Sequence, residues 1–190
     1  MMRIITVKAK GIRLKTLEGM TTRPTAERVK EAVFSMLQFD IEGREVLDLF
    51  SGSGQMALEA LSRGASHAVL IDRTPEAIRV IQENAEKTKL LPQCSIYRSD
   101  ALDYIRRNQG KQFDIIFLDP PYASDLYQKS FKALYECHML KPSTLIVCES
   151  DSELIFGNDV DLGDRFQTVK TSRYSKTVIS ILSLKNSEVE

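Results

Sequence analysis

Residues 45–72 read EVLDLFSGSGQMALEALSRGASHAVLID. A short apolar run carrying Asp48 meets two glycines, Gly52 and Gly54. A stretch of helical character follows over 55–63, and a second apolar run, HAVLID, ends in Asp72. Strand, helix and strand joined by connections this short make a βαβ unit, whose two strands lie parallel in one sheet.

Outward from this unit the same alternation continues. CSIYRSD (94–100), FDIIFLD (113–119) and STLIVCES (143–150) read as further strands, with helical segments at 74–88, 101–109 and 124–138. In PEAIRVIQENAEK, Ala77, Ile78, Ile81 and Ala85 fall at i, i+1, i+4 and i+8, the apolar stripe of an amphipathic helix. RFQTVKTSRYS and KTVISILSL resemble a final antiparallel pair. The expected fold is α/β, doubly wound, with a mostly parallel seven-stranded Rossmann-like sheet over 44–184. Ahead of it, RIITVKAK and IRLKTLE, split by Gly11, predict a small hairpin within 1–22, and a helix is expected within 23–39. Proline at a first helical turn, here Pro24, loses no hydrogen bond. With 190 residues and no Pro-, Gly- or Ser-rich linker, a single domain is expected.

Composition bounds the function. The chain is 43% hydrophobic and 27% charged, as ordinary globular proteins are. No apolar run approaches the roughly 20 residues of a membrane helix, and MMRIITVKAK lacks the apolar stretch of a signal peptide. A cytoplasmic location without membrane contact is the expectation. Cys94, Cys137 and Cys148 are odd in number and show no C-x-x-C spacing, so neither metal site nor disulfide framework is indicated. The net charge of zero divides unevenly. Residues 1–30 hold eight basic side chains against two acidic, a balance of +6, and the other 160 carry −6. A basic end on an acidic body is one footprint of a phosphate backbone, although a solvated hairpin would read the same way.

Gly52, Gly54 and Ala57 satisfy G-x-G-x-x-G/A after a strand and at a helix start. Eighteen residues beyond Gly54, Asp72 ends the second strand, where a carboxylate can accept from both hydroxyls of an adenosine ribose. By this count NAD and S-adenosylmethionine both qualify. Asp48 separates them, because a carboxylate beside this turn repels a pyrophosphate and attracts a sulfonium and an ammonium. Asp100, at the third strand's tip, is positioned to accept from the adenine amine or simply to cap the next helix. Ser51, Arg73 and Ala101 adjoin these positions and are counted with the cofactor site.

The fourth strand ends in Asp119-Pro120-Pro121-Tyr122. An exocyclic amine on a base is a poor nucleophile, since its lone pair is delocalised into the ring. If the Asp119 carboxylate and the Pro120 carbonyl both accept from that NH₂, the lone pair turns toward a methyl donor. The prolines fix the backbone. Tyr122 supplies a face for a base removed from its stack, an interaction worth roughly 1 to 3 kcal/mol. A Pro-Pro turn with Tyr122 as packing is the plainer alternative.

DPPY is similar to the [DNS]-P-P-[YFW] motif of amino-directed methyltransferases. With TTRPTAERVKEAVFSML, DLFSGSGQMALEALSRGA, DIIFLDPPY and the terminal RYSKT, the chain resembles the bacterial 16S ribosomal RNA guanine-N2 methyltransferases of the RsmD type from Arg3 to Leu182. The resemblance implies a class I fold, S-adenosylmethionine as cofactor and no metal. It implies methylation of guanine 966 on N2, with 16S rRNA or a small-subunit assembly intermediate as partner and a monomeric enzyme. Arg23, Pro24 and Thr25 would lie over the cofactor's methionine end. Arg3, Lys8, Lys10, Arg13 and Arg23, with Pro121 and Tyr122, would meet the RNA. Ile5-Thr6-Val7-Lys8 replaces a usual glycine-rich turn, and Ser175 stands where glycine is common. Rival readings are an adenine-N6 DNA methyltransferase, a protein glutamine methyltransferase, which usually has Asn in place of Asp119, a non-catalytic RNA-binding module and an NAD-dependent oxidoreductase.

Overall fold

The computed structural model describes Ile4 and residues 11–17, 24–121, 125–152, 155–157 and 159–185. Seven strands form one sheet: β1 (Glu45–Asp48), β2 (His67–Asp72), β3 (Cys94–Arg98), β4 (Phe113–Leu118), β5 (Leu140–Ser150), β6 (Phe166–Tyr174) and β7 (Thr177–Leu184). Their order across the sheet is β3-β2-β1-β4-β5-β7-β6. The first five run parallel, and β7 lies antiparallel between β5 and β6. The expected doubly wound α/β sheet is therefore the observed one, with its direction of winding reversing between β1 and β4.

Alternation along the central strands fills both faces. Val46, Ala68, Leu70, Ile115, Phe117 and Val147 join one apolar cluster, while Leu47, Val69, Ile71, Ile116, Leu118, Ile146 and Cys148 join the other. Helices α1 (Pro24–Met36), α2 (Gln55–Ser62) and α3 (Pro75–Lys87) cover the first face, and α4 (Ala101–Arg107), α5 (Leu126–Glu136) and α6 (Val160–Arg165) the second. Strand boundaries depart from the sequence reading in two places. β5 begins three residues early, at Leu140, because the Thr144 hydroxyl bonds the Phe113 carbonyl at 2.6 Å and carries the strand past Pro142. Helix α6 has no counterpart in the periodicity, being six residues long with a glycine inside it.

Local chemistry sets the helix starts that border the sheet's carboxyl edge. The Thr74 hydroxyl accepts from the Ala77 N–H ahead of Pro75 at the start of α3, and the Asp100 carboxylate accepts from the Leu102 and Asp103 N–H groups of α4. Helix α1 is tied to α2 by a buried ion pair, Lys30 Nζ to Glu59 Oε2 at 3.4 Å, and Glu59 also takes Arg63 Nε at 2.9 Å. Burial pulls the Lys30 ammonium below its ordinary range, with Glu59 opposing. Across the Gly11 turn, the Ile4 N–H donates to the Ile12 carbonyl at 3.1 Å and the Gly11 N–H to the Ile4 carbonyl at 3.0 Å. Of the expected first hairpin strand only Ile4 is among the described residues, while the second is described from Ile12 to Leu17.

Candidate functional site

At the carboxyl ends of β1 and β4, the point where the winding reverses, lies a cavity of about 390 Å³. Open α/β sheets bind ligands at this switch point. Gly52, Asp72, Arg73, Asp100 and Ala101 line it from the β1, β2 and β3 ends, and Asp119, Pro120, Pro121 and Leu126 from β4 and α5. Leu17, Leu49 and Phe50 complete an apolar surround.

The two glycines of the first turn have separate tasks. Both adopt left-handed backbone, with φ of +52° at Gly52 and +77° at Gly54. A Cβ at Gly52 would meet nothing within 4 Å, so that peptide lies bare to the cavity. A Cβ at Gly54 would stand 3.1 Å from Leu70 Cδ2 and 3.4 Å from Ile81, so this glycine lets α2 and its turn close on the sheet. Ser51 is buried, and its hydroxyl donates to the Asp48 carbonyl at 2.9 Å and accepts from the Ile71 N–H at 3.0 Å. That hydroxyl holds the turn to β2. Asn84, absent from the sequence reading, braces the turn from α3. Its amide donates to the Ser53 carbonyl at 2.9 Å and the Lys15 carbonyl at 3.0 Å, and its oxygen accepts from the Lys15 N–H at 2.8 Å.

On the β2–β3 side the carboxylates are partnered. Asp72 Oδ2 accepts from the Gly52 N–H at 3.0 Å, and Oδ1 from the Thr74 N–H and hydroxyl at 2.9 Å each. Three of roughly four lone-pair positions are engaged, so a ligand diol has one open position and gains a second only if the Thr74 hydroxyl turns away. Asp100 uses Oδ1 to cap α4.

On the β1–β4–β5 side donors are scarcer among the described residues. Asp48 is buried and its Oδ2 has no hydrogen-bond partner. Burial pushes its carboxyl up to about 7, the nearby Asp72 adding to this and the Phe50 and Ala57 main-chain N–H groups opposing. Asp119 is open to the cavity on one side, yet protein surrounds its carboxyl on the others. That enclosure, more than accessible area, governs its ionisation. Burial, then Glu149, then Asp48 hold it well above the usual carboxylate range. Burial raises Glu149, at the end of β5, as well. Glu149 was not among the sequence-derived candidates, although STLIVCES repeats the pattern of an apolar run closing on a carboxylate. Where they ionise, these three carboxyls give this end of the cavity a negative potential. It suits a cationic ligand and disfavours a pyrophosphate.

Gly52, Asp72, Arg73, Asp100, Ala101, Asp119, Pro120 and Pro121 thus meet at one cavity, with Asp48, Ser51 and Gly54 supporting the first turn behind it. Arg13 is exposed beside α3, its carbonyl taking Lys87 Nζ at 2.7 Å. Arg3, Lys8, Lys10, Arg23, Tyr122 and the side chain of Thr25 lie outside the described residues. Among the described residues no group of His, Cys, Asp and Glu is arranged to hold a metal ion, and no helix is long and apolar enough to cross a membrane.

Comparison with known proteins agrees with this geometry. The family model described as conserved hypothetical protein 95 matches residues 2–183. YlbH of Bacillus subtilis, which carries a provisional rRNA methyltransferase name, is 36% identical over 182 residues, 95% of this chain and 97% of that protein. Ribosomal RNA small subunit methyltransferase D of Haemophilus influenzae is 33% identical over 153 residues, 80% of this chain and 79% of its own length. The solved structure of Escherichia coli yhhF, provisionally named a methyltransferase, superposes with a TM-score of 0.83 at 27% identity, covering 97% of this chain and 98% of its own.

Proposed function

The chain belongs to the conserved hypothetical protein 95 family, the RsmD-type methyltransferases, and from that premise we propose that it methylates the exocyclic N2 amine of a guanine in 16S rRNA, guanine 966 by family analogy. S-adenosylmethionine is the cofactor, the RNA or a small-subunit assembly intermediate is the substrate, and the enzyme acts in the cytoplasm as a monomer. The observation that carries this reading is the junction of Asp119-Pro120-Pro121 with Gly52 and Asp72 around one cavity, with Asp48, whose buried Oδ2 lacks a donor, behind them.

When bound, the cofactor supplies a methyl group on a positively charged sulfur. Asp72 and the bare peptide at Gly52 hold its ribose end, with Arg73, Asp100 and Ala101 about the base. Asp48 and its carboxyl neighbours balance the cationic end. Asp119 and the Pro120 carbonyl accept from the two hydrogens of the target amine, which aims the nitrogen lone pair at the methyl carbon. Tyr122 takes the face of the base. Orientation and fixed charge are the main levers, since the methyl group arrives already activated. Arg3, Lys8, Lys10, Arg13, Arg23 and Pro121 contact the RNA. Lys15 of the same segment is drawn instead to Glu83 at 2.7 Å.

The test is to map N2-methylguanosine in 16S rRNA from cells with and without this protein. One modified guanine should vanish on deletion and return with the wild-type gene. An unchanged map, or loss of a modification on another ring atom, would sink the reading.

A further inference from the structure

Glu149 has no individual step in the function proposed above, yet its position is set by the strands that build the site. In the parallel pair β4–β5, Leu118 stands opposite Cys148, so Asp119 and Glu149 are the next residues on neighbouring chains. Adjacent strands lie about 4.8 Å apart. Phe117 and Val147 face the α1 side of the sheet, and alternation returns Asp119 and Glu149 to that side. Asp48, opposite Phe117 in the β1–β4 pair, shares it. Main-chain pairing thus delivers three carboxyls to one spot. Two carboxyls on adjacent strand ends, facing the same side, do not both ionise readily.

We propose that Glu149 is a positioning residue for the methyl transfer: it forms with Asp119 a carboxyl pair that holds one proton, gives it up when a cationic ligand arrives, and takes up the proton that the amine sheds. This deepens the methyltransferase reading and rests on it. In the transfer the nitrogen–carbon bond forms as the sulfur–carbon bond breaks. The sulfur leaves as a neutral thioether, and the N–H proton passes to the Asp119 carboxylate and is shared with Glu149. The cation that kept the pair ionised disappears in the same step, so the pair becomes a better base at the moment a proton must be taken.

The groups that face the pair are few. β1 offers Asp48, with Asp72 behind it. The β5 chain itself offers the Cys148 thiol, which burial and then Asp119 hold well above its usual range. From α5, the Tyr127 hydroxyl donates to the Glu149 main-chain carbonyl. β7, on the far side of β5, brings Val178, Ile179 and Ser180 and no titratable group. Among the described residues none of the three carboxyls makes an ion pair.

The pairing is read without any turnover. Carboxyl carbon NMR of the ligand-free protein follows Asp119, identified by its loss in Asp119→Asn. In Glu149→Gln its midpoint should fall by at least about one pH unit, and in Asp119→Asn the Glu149 midpoint should fall likewise. The second titration serves if Glu149→Gln does not fold. Midpoints that stay in place in both variants overturn the pairing, whether or not the protein methylates RNA. In the transfer assay, Glu149→Gln should move the acid limb of kcat down by a similar amount and lower the plateau, leaving KM for RNA within about twofold. A uniform loss of kcat with the limb unmoved marks Glu149 as merely structural and overturns the proposal. Wild-type protein that transfers no methyl group to small-subunit RNA defeats the parent reading instead, and the proposed role with it, while the NMR coupling still reports whether the pair exists.

Discussion

On the β2–β3 side of the cavity Asp72 accepts three hydrogen bonds and Asp100 two. On the β1–β4–β5 side Asp48 keeps a buried oxygen without a donor, and burial raises both Asp119 and Glu149, with Glu149 and then Asp48 adding to the rise at Asp119. The partnered carboxylates have already spent their hydrogen bonds on local structure. They shape the turn and start the helix whether or not a ligand is present. The others cost stability, and in the proposed reaction a cation and an amine would return that cost. One wall is thus set by folding, and in the proposed reaction the other would be matched to charge that arrives with the reactants.

The largest effect expected from breaking this contrast comes at Asp119. Replacing it with Ala removes the proposed acceptor for the amine while leaving Gly52, Asp72 and Asp100 untouched. Methyl transfer should fall by at least about 10²–10³-fold, and S-adenosylmethionine should still bind, as measured by calorimetry. Near-normal turnover would remove Asp119 from the mechanism. Loss of binding in step with turnover would mean that the two walls are not separable.

Asp48 gives the next largest effect, with opposite signs for stability and binding. Its carboxyl lies at about 7 in the folded protein against an ordinary value of 3.8. The folded state therefore holds a proton that the unfolded chain has lost between these pH values, and stability declines as pH rises through that window and is level above it. The full penalty is at most about 4 kcal/mol. Asp48→Asn should flatten part of the decline and raise the denaturation midpoint at pH 8. It should also weaken binding of the cationic cofactor about tenfold or more while leaving the neutral-sulfur product less affected. A variant less stable than wild type at pH 8 would show that the charge is already compensated by the protein itself.

How much of this was legible in the residues follows from the same physics. The five parallel strands could be read because the central ones are buried on both faces and show as apolar runs, each closing near a carboxylate. Strand order could not, since the insertion of β7 between β5 and β6 depends on pairing between distant segments. Helix α6 was missed because VDLGDR is too short to display a period. Asp48 stood out in sequence because it disagreed with its motif. Glu149 carried only the pattern of an apolar run closing on a carboxylate, and its meaning comes from lying beside Asp119 across β4 and β5. Ser51 could be read as a site residue, but not that its hydroxyl is already committed to Ile71 and the Asp48 carbonyl.

Within the first turn, Gly54 and Gly52 sharpen the comparison on a smaller scale. Gly54→Ala meets both a left-handed backbone and the Leu70 side chain at 3.1 Å, and should cost about 2–4 kcal/mol in urea unfolding. Gly52→Ala meets only the backbone penalty, about 1–2 kcal/mol, but its methyl group enters the cavity, so it should weaken cofactor binding more than it weakens the fold. Equal stability losses at the two positions would contradict the separate tasks assigned to them.

The smallest effect is expected at Asp100, and it tests whether a partnered carboxylate can also serve a ligand. Its Oδ1 caps α4 through the Leu102 and Asp103 N–H groups at 2.9 and 3.3 Å. Asn keeps an oxygen in that place, so Asp100→Asn should change stability by only a few tenths of a kcal/mol, whereas Asp100→Ala should lose about 1 kcal/mol. What Asn cannot keep is the second acceptor, Oδ2, the one left to take a hydrogen bond from an adenine amine. If that atom works on the ligand, the two variants should weaken S-adenosylmethionine binding alike, by a few-fold, although only one of them weakens the helix start. Should Asp100→Asn bind as wild type does, Asp100 is a cap and nothing more, and recognition of the base falls to the apolar wall formed by Ala101, Leu49 and Phe50.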